Sequence, residues 1–143
     1  QVARQVLDQL GPQIRKQDIT LRLEAPPHLV CPYPKEALEN LLVPLLLNAI
    51  EALEQVPAQR RQLLLRLGKD ADKVFWEVLD SGIGFPPEIQ SRITEPFFTT
   101  KRIGKNVGLG LSIVEQTCRQ LEGQLSFESA EGKTRFLVQL PGR

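Results

Sequence analysis

Three groups of residues have types and spacing that suit chemistry. Asn48 stands in Asn48-Ala49-Ile50-Glu51-Ala52, inside an apolar run, and an amide oxygen is a hard ligand suited to Mg²⁺. Asp80 follows the alternating segment Val74–Leu79 and opens Asp80-Ser81-Gly82-Ile83-Gly84. A carboxylate fixed there can accept from the amino group of an adenine, and Gly82 and Gly84 leave room for the base. Such a charge-assisted bond is worth about 1.5–3 kcal/mol. Gly104-Lys105-Asn106-Val107-Gly108-Leu109-Gly110 leads into a helical pattern that starts at Leu111. Backbone N–H groups at a helix start, with the positive end of the helix dipole, suit phosphate. A metal ligand, a base acceptor and a phosphate cradle follow one another, with Glu95-Pro96-Phe97-Phe98-Thr99-Thr100-Lys101 between the last two. In combination they read as an ATP site.

Each element alone also has a plainer explanation. Asn48 shares a helix face with Leu41, Leu45 and Ala52, where a satisfied core amide looks the same from sequence. Asp80 with two glycines is also a common way to open a turn. The glycine segment lacks the Gly-Lys-Ser/Thr of a Walker A loop and the Gly-x-Gly-x-x-Gly of a Rossmann turn. Lys101, Arg102 and Lys105 either reach a triphosphate or remain solvated loop charges. Thr134 either hydrogen-bonds near the base or is an exposed strand residue. His28, the one histidine, lies beside Pro26-Pro27 without an acidic partner at helical spacing and reads as a surface loop residue.

The elements that must position these groups are visible as periodicities. Val2, Val6, Leu7, Leu10 and Ile14 have helical spacing, and Gly11-Pro12 predicts one broken helix or two short ones over residues 1–17. Ile19–Leu23 alternates as a strand. From Lys35 to about Glu54, Leu38, Leu41, Leu42, Leu45, Leu46, Ala49 and Leu53 recur every three or four residues, predicting a long amphipathic helix with Pro34 at its first turn. Leu63–Leu67 and Val74–Leu79 predict an antiparallel pair turning over Gly68–Lys73. Residues 81–108 show only a short helical piece around Pro87–Ile93; so long a weakly structured stretch is usually functional or disordered. A helix from about Gly110 to Glu122, closed by Gly123, precedes a last hairpin. That hairpin carries Leu125 and Phe127, a turn at Glu131-Gly132-Lys133, and Phe136, Val138 and Leu140. The sum is an α/β (α+β) two-layer sandwich: a mixed, mainly antiparallel sheet covered on one face by helices.

Composition sets outer bounds. The chain has 143 residues, enough for one domain with a real core, and a net charge of +1 gives no footprint for nucleic acid or an anionic membrane. The apolar run Leu41–Leu47 is too short to span a bilayer, and no signal segment opens the chain. Cys31 and Cys118 are isolated, which points to a reducing compartment and away from zinc. The absence of methionine, position 1 included, points to a piece of a longer protein.

These motifs together resemble the catalytic ATP-binding domain of sensor histidine kinases, the Bergerat-fold ATPases, from about residue 17 to residue 141. Leu45–Ala52 looks like the N box, Asp80–Gly84 the G1 box, Glu95–Lys101 the F box and Gly108–Val114 the G2 box. Thr99-Thr100-Lys101 and Asn48-Ala49-Ile50-Glu51-Ala52 resemble the nitrogen-regulator type of kinase. The resemblance implies that Asn48 binds Mg²⁺, that Asp80 binds the adenine amino group, and that residues 96–107 form a mobile lid over the phosphates. It implies an ATP-binding set of Asn48, Glu51, Asp80, Gly82, Gly84, Phe97, Thr99, Thr100, Lys101, Lys105, Gly108, Leu109, Gly110, Leu111 and Thr134. Implied too are an acceptor histidine on an upstream dimerising helical hairpin, joined through residues 1–17, and a response regulator as partner. The parent protein is expected to be a cytoplasmic or membrane-anchored homodimer, with no nucleic-acid partner and no membrane contact by this fragment. Three positions depart from the pattern: Pro44 replaces a second asparagine one turn before Asn48, Asn106 a lid glycine, and Pro34 a capping aspartate. A proline inside a regular helix costs roughly 3 kcal/mol. Two alternatives follow: a catalytically impaired nucleotide-binding scaffold, and a protein-serine kinase on the same fold.

Overall fold

The computed structural model describes residues 2–27, 29, 31–85, 110–130 and 132–142. The helical piece expected around Pro87–Ile93, the expected lid at 96–107 and His28 lie outside these residues, as do Phe97, Thr99, Thr100, Lys101, Lys105, Gly108 and Leu109. The chain runs α1 (Val2–Lys16), β1 (Thr20–Glu24), α2 (Lys35–Leu53), a 3₁₀ turn (Ala58–Arg60), β2 (Gln62–Asp70), β3 (Lys73–Asp80), α3 (Gly110–Gln120), β4 (Gln124–Ala130) and β5 (Lys133–Pro141). The five strands form one sheet in the order β1-β2-β3-β5-β4. Only β1 and β2 are parallel, joined through α2; the other pairs are antiparallel. No helix among the described residues is long and apolar enough to cross a membrane.

Strand alternation decides what the helices cover. Leu63, Leu65 and Leu67 of β2 pair in register with Asp80, Val78 and Trp76 of β3, and the row continues through Thr134, Phe136 and Val138 of β5. All of these are buried, because side chains two apart on a strand share a face. α2 lies against β2 and β3, α3 against α2 and β4, and α1 against α2. Leu41, Leu45, Leu46 and Leu53 of α2 are completely buried, each worth about 1.5–3 kcal/mol relative to exposure. On the opposite face Glu77 is also buried, at 4% exposure. Arg66 reaches it at 3.1 Å from β2 and Arg135 from β5, so two guanidinium groups compensate the loss of water.

One local expectation is corrected and another refined. α1 is one continuous helix through Gly11 and Pro12. Ala3, Val6, Leu7, Leu10 and Ile14 all pack into the core, and that burial outweighs the hydrogen bond Pro12 cannot make. At the end of α3, the residue in the left-handed conformation is Glu122, at φ 61°, not Gly123. Gly123 N–H donates to Cys118 O at 2.7 Å and Glu122 N–H to Arg119 O at 3.1 Å, a Schellman closure with Glu122 at the position glycine usually takes. Gly123 is required for a different reason: a Cβ there would lie 2.2 Å from Leu140 Cδ2 and 2.5 Å from Gln139 O. We therefore expect Glu122→Gly to raise stability by up to about 1 kcal/mol, and Gly123→Ala to lower it by about 1–3 kcal/mol. Urea denaturation of both variants checks this; a Gly123→Ala chain as stable as wild type would contradict it.

Candidate functional site

At one end of the sheet a row of side chains crosses three strands on the helix-covered face. Asp80 ends β3, Thr134 is its register partner on β5, and Ser129 is the partner of Thr134 on β4. Asp80 is 4% exposed and Thr134 1%, so Thr134 is not a solvated strand residue. Ser129 Oγ lies 3.1 Å from Thr134 Oγ1 and accepts from Phe85 N–H at 2.7 Å. Phe85 packs edge-on to Phe127, which stacks on Phe136, and these rings hold Phe85 against the sheet.

The glycines are where close approach demands them. Gly82 N–H donates to Asp80 Oδ1 at 2.8 Å, and a Cβ on Gly82 would lie 2.8 Å from the Cβ of Ala52 on α2. Gly84 has φ +77°, and a Cβ there would meet Ser129 Oγ at 2.7 Å and Ala130 O at 2.8 Å. Burial pushes the Asp80 carboxyl up to about 6, opposed in part by the Gly82 hydrogen bond.

The other end of the site is built on α2. Asn48 is 6% exposed, one turn beyond Pro44 and one turn before Ala52. A Cβ on Gly110, the first residue of α3, would lie 3.4 Å from Pro44 Cβ. Pro44, Asn48 and Ala52 are therefore one stripe along α2, met at one end by the start of α3 and at the other by the Asp80–Gly82 turn. The stripe is about 12 Å long at 1.5 Å per residue, with Asn48 midway. Glu51 and Leu111 are half-buried beside it. α2 starts at Pro34 without a side-chain cap and continues through Pro44 without a break.

Of the expected site residues, the structure thus brings Asn48, Asp80, Gly82, Gly84, Gly110 and Thr134 onto one side of the domain, around α2 and the end of the sheet. Sequence reasoning missed Ala52 as the residue that seats Gly82. It also missed Ser129, although alternation with Leu125 and Phe127 places Ser129 on the same face of β4.

The fold is a mixed sheet with its helices on one face, with a buried aspartate at a strand end and a helix-borne asparagine one turn from Pro44, which meets the start of α3. Residues 34–143 match the family model described as histidine kinase-, DNA gyrase B-, and HSP90-like ATPase, and the chain belongs to that family. Its relatives include the sensor kinase CckA of Brucella abortus, 38% identical over 72% of this chain and 12% of that protein. The two-component sensor PprA of Pseudomonas aeruginosa is 36% identical over 92% of this chain and 15% of that protein. The chain thus spans less than a fifth of the length of these curated relatives. Among solved structures, the nucleotide-free catalytic domain of the histidine kinase ThkA superimposes with a TM-score of 0.86 at 29% identity, covering 99% of this chain and 90% of that one. A structure of ThkA in complex with the response regulator protein TrrA gives 0.81 at 26% identity, over 99% of this chain and 40% of that one. The chain is an ATP-binding domain of the histidine-kinase type.

Proposed function

We propose that this domain binds MgATP along the α2 stripe and presents the γ-phosphate to a histidine elsewhere in a sensor kinase. The observation that supports this best is the order Asp80–Gly82, Ala52, Asn48, Pro44, Gly110 along one helix face: base acceptor at one end, phosphate-facing helix start at the other. In this reading Asp80 accepts from the adenine amino group, with Thr134 beside it and Gly82 and Gly84 allowing close approach. Gly110 and Leu111 lie at the N-terminal turn of α3, where backbone N–H groups face phosphate. Phe97, Thr99, Thr100, Lys101, Lys105, Gly108 and Leu109 join the site by family resemblance alone. Asn48 fits a hard divalent cation, being a buried side-chain oxygen donor between the base and phosphate ends. Asn48 and, through the phosphates, the start of α3 would hold Mg²⁺, which when bound offsets the negative charge of the triphosphate. Phosphoryl transfer then needs positioning more than covalent help from this domain.

The acceptor histidine, a dimerising helical hairpin that carries it and a response regulator are the partners this reading requires, in a homodimeric parent acting on the cytoplasmic side. The transfer assay is direct: full-length protein with labelled ATP should gain acid-labile phosphate, the signature of phosphohistidine. Acid-stable label would instead support a serine kinase on the same fold.

Pro44 favours a second reading, a module that binds nucleotide but transfers poorly. The proline occupies the stripe one turn from Asn48, against Gly110, and offers no polar group there. Pro44→Asn in the full-length protein is expected to raise histidine phosphorylation with little change in ATP affinity. The substitution restores both a helix N–H and a polar side chain at the phosphate end. An unchanged transfer rate beside a wild type that phosphorylates normally would dispose of the impaired-module reading.

A further inference from the structure

Between Asp80 and Gly82 lies Ser81, whose side chain is held by the segment that leads into β2. Ser81 Oγ accepts from Gln62 N–H at 2.9 Å and donates to Arg60 O, while Ser81 N–H donates to Gln62 O at 3.2 Å. The regular β2–β3 pairing stops at Leu63 and Asp80. Beyond that point the Ser81 backbone N–H and hydroxyl together carry the attachment of the two strands one residue further.

The anchor itself is locked. Arg61, between the two residues that grip Ser81, donates from its guanidinium to Gln17 O at 2.7 Å, Val56 O at 2.9 Å and Glu54 O at 3.2 Å. Gln17 directly follows α1, and Glu54 and Val56 lie at and just past the end of α2. Arg61 O accepts from Thr20 N–H at the start of β1 at 2.9 Å. One arginine therefore joins the ends of two helices and the start of a strand to the segment that holds Ser81.

The residues on either side of Ser81 have little freedom to be elsewhere. Gly82 fits against Ala52 only without a side chain, and its N–H occupies Asp80 Oδ1. Asp80 Oδ2 makes no hydrogen bond among the described residues. A small rotation of the turn would take Gly82 N–H off Oδ1 and re-aim Oδ2.

We propose that Ser81 is a positioning residue for base recognition: its hydroxyl, clamped by Arg60–Gln62, sets the turn so that Gly82 N–H engages one Asp80 oxygen and the other faces the adenine. This rests on the reading of Asp80 as base acceptor, and it assigns a task to a residue that does not itself touch nucleotide. The conservative variant Ser81→Thr keeps the hydroxyl and should keep the function; Ser81→Ala removes both hydroxyl bonds and leaves only the backbone one.

The test uses the 143-residue chain with ATP and GTP titrations and the amide resonance of Gly82. In Ser81→Ala the Gly82 amide proton should move upfield and exchange faster, as its bond to the carboxylate loosens. ATP should bind about three- to tenfold more weakly, with ADP affected equally and the preference for ATP over GTP reduced by a similar factor. Ser81→Thr should restore all of these. If the alanine variant does not fold, Ser81→Cys, similar in shape but a weak donor, should give the same readings. A Ser81→Ala chain with an unmoved Gly82 resonance and the wild-type ATP/GTP ratio overturns the proposal while leaving Asp80 as base acceptor. ATP affinity unaffected by Asp80→Asn would instead remove the base-acceptor reading, and this proposal with it.

Discussion

Asp80→Asn is expected to weaken ATP binding by about one to two orders of magnitude and, at neutral pH, to make the folded chain more stable. The first effect follows from the loss of a charge-assisted hydrogen bond worth about 1.5–3 kcal/mol. Asparagine still presents an oxygen to Gly82 N–H, so the turn is kept while the charge is lost. The second effect follows from linkage. The carboxyl of Asp80 is raised from 3.8 to about 6 by burial, so the native chain holds its proton more tightly than the unfolded chain does. Stability therefore falls as pH rises between about 4 and 6, and above 6 the full cost of the buried charge is present. That cost is about 3 kcal/mol, and asparagine is spared it. The stability difference between mutant and wild type should vanish below pH 4. Calorimetric titration and urea unfolding at pH 4 and pH 7.5 check both arms. A mutant that binds ATP as wild type does, or one less stable at pH 7.5, would contradict the account.

In the proposed reading the same carboxyl makes a pH-dependent ligand site. Gly82 N–H already takes one Asp80 oxygen, so protonation strips the charge and the better acceptor from the side left for the base, and affinity should fall as pH drops through about 6. Adenosine is the ligand to use, because it has no phosphates to titrate in that range.

Much of this arrangement was legible because its signals are local. α2, the β2–β3 pair and α3 each carry a strong period, and the site residues on them are chemically distinctive: an amide on an apolar stripe, a carboxylate ending a strand. What was not legible comes from contacts between distant segments. Nothing in Ala52 distinguishes it from any helical alanine until Gly82 is packed on it. Ser129 gains its role from a register across β4 and β5, and Thr134 remained ambiguous because alternation shows which side a residue faces, not what covers that side. Gly11-Pro12 and Gly123 depart from their local signals for one shared reason. Local propensity suggested a break in α1 and a left-handed cap on glycine, whereas core burial keeps α1 whole and packing against Leu140 requires the glycine one position later.

Asn48→Ala is expected to abolish the gain in ATP affinity on adding Mg²⁺ while leaving adenosine binding within about twofold of wild type. The two ligands separate the ends of the stripe. In the proposed reading adenosine depends on Asp80 and its neighbours, which meet α2 at Ala52, one turn from Asn48, whereas the triphosphate needs its charge offset near Asn48. Alanine at this position keeps the helix, since no residue favours one more. The buried amide of Asn48 is nearly inaccessible, so its removal should also cost about 0.5–1.5 kcal/mol of stability through lost hydrogen bonding. That loss would appear with or without Mg²⁺ and cannot mimic the ligand effect. Calorimetry with ATP and adenosine, each with Mg²⁺ or with chelator, gives four affinities per chain. If the alanine variant keeps the wild-type response to Mg²⁺, Asn48 is a structural amide of α2 and the metal is held by other groups. If adenosine affinity falls together with ATP affinity, the substitution has disturbed the seat of Gly82 on Ala52 one turn away, and the assignment of base and phosphate ends to separate parts of the helix would have to be redrawn.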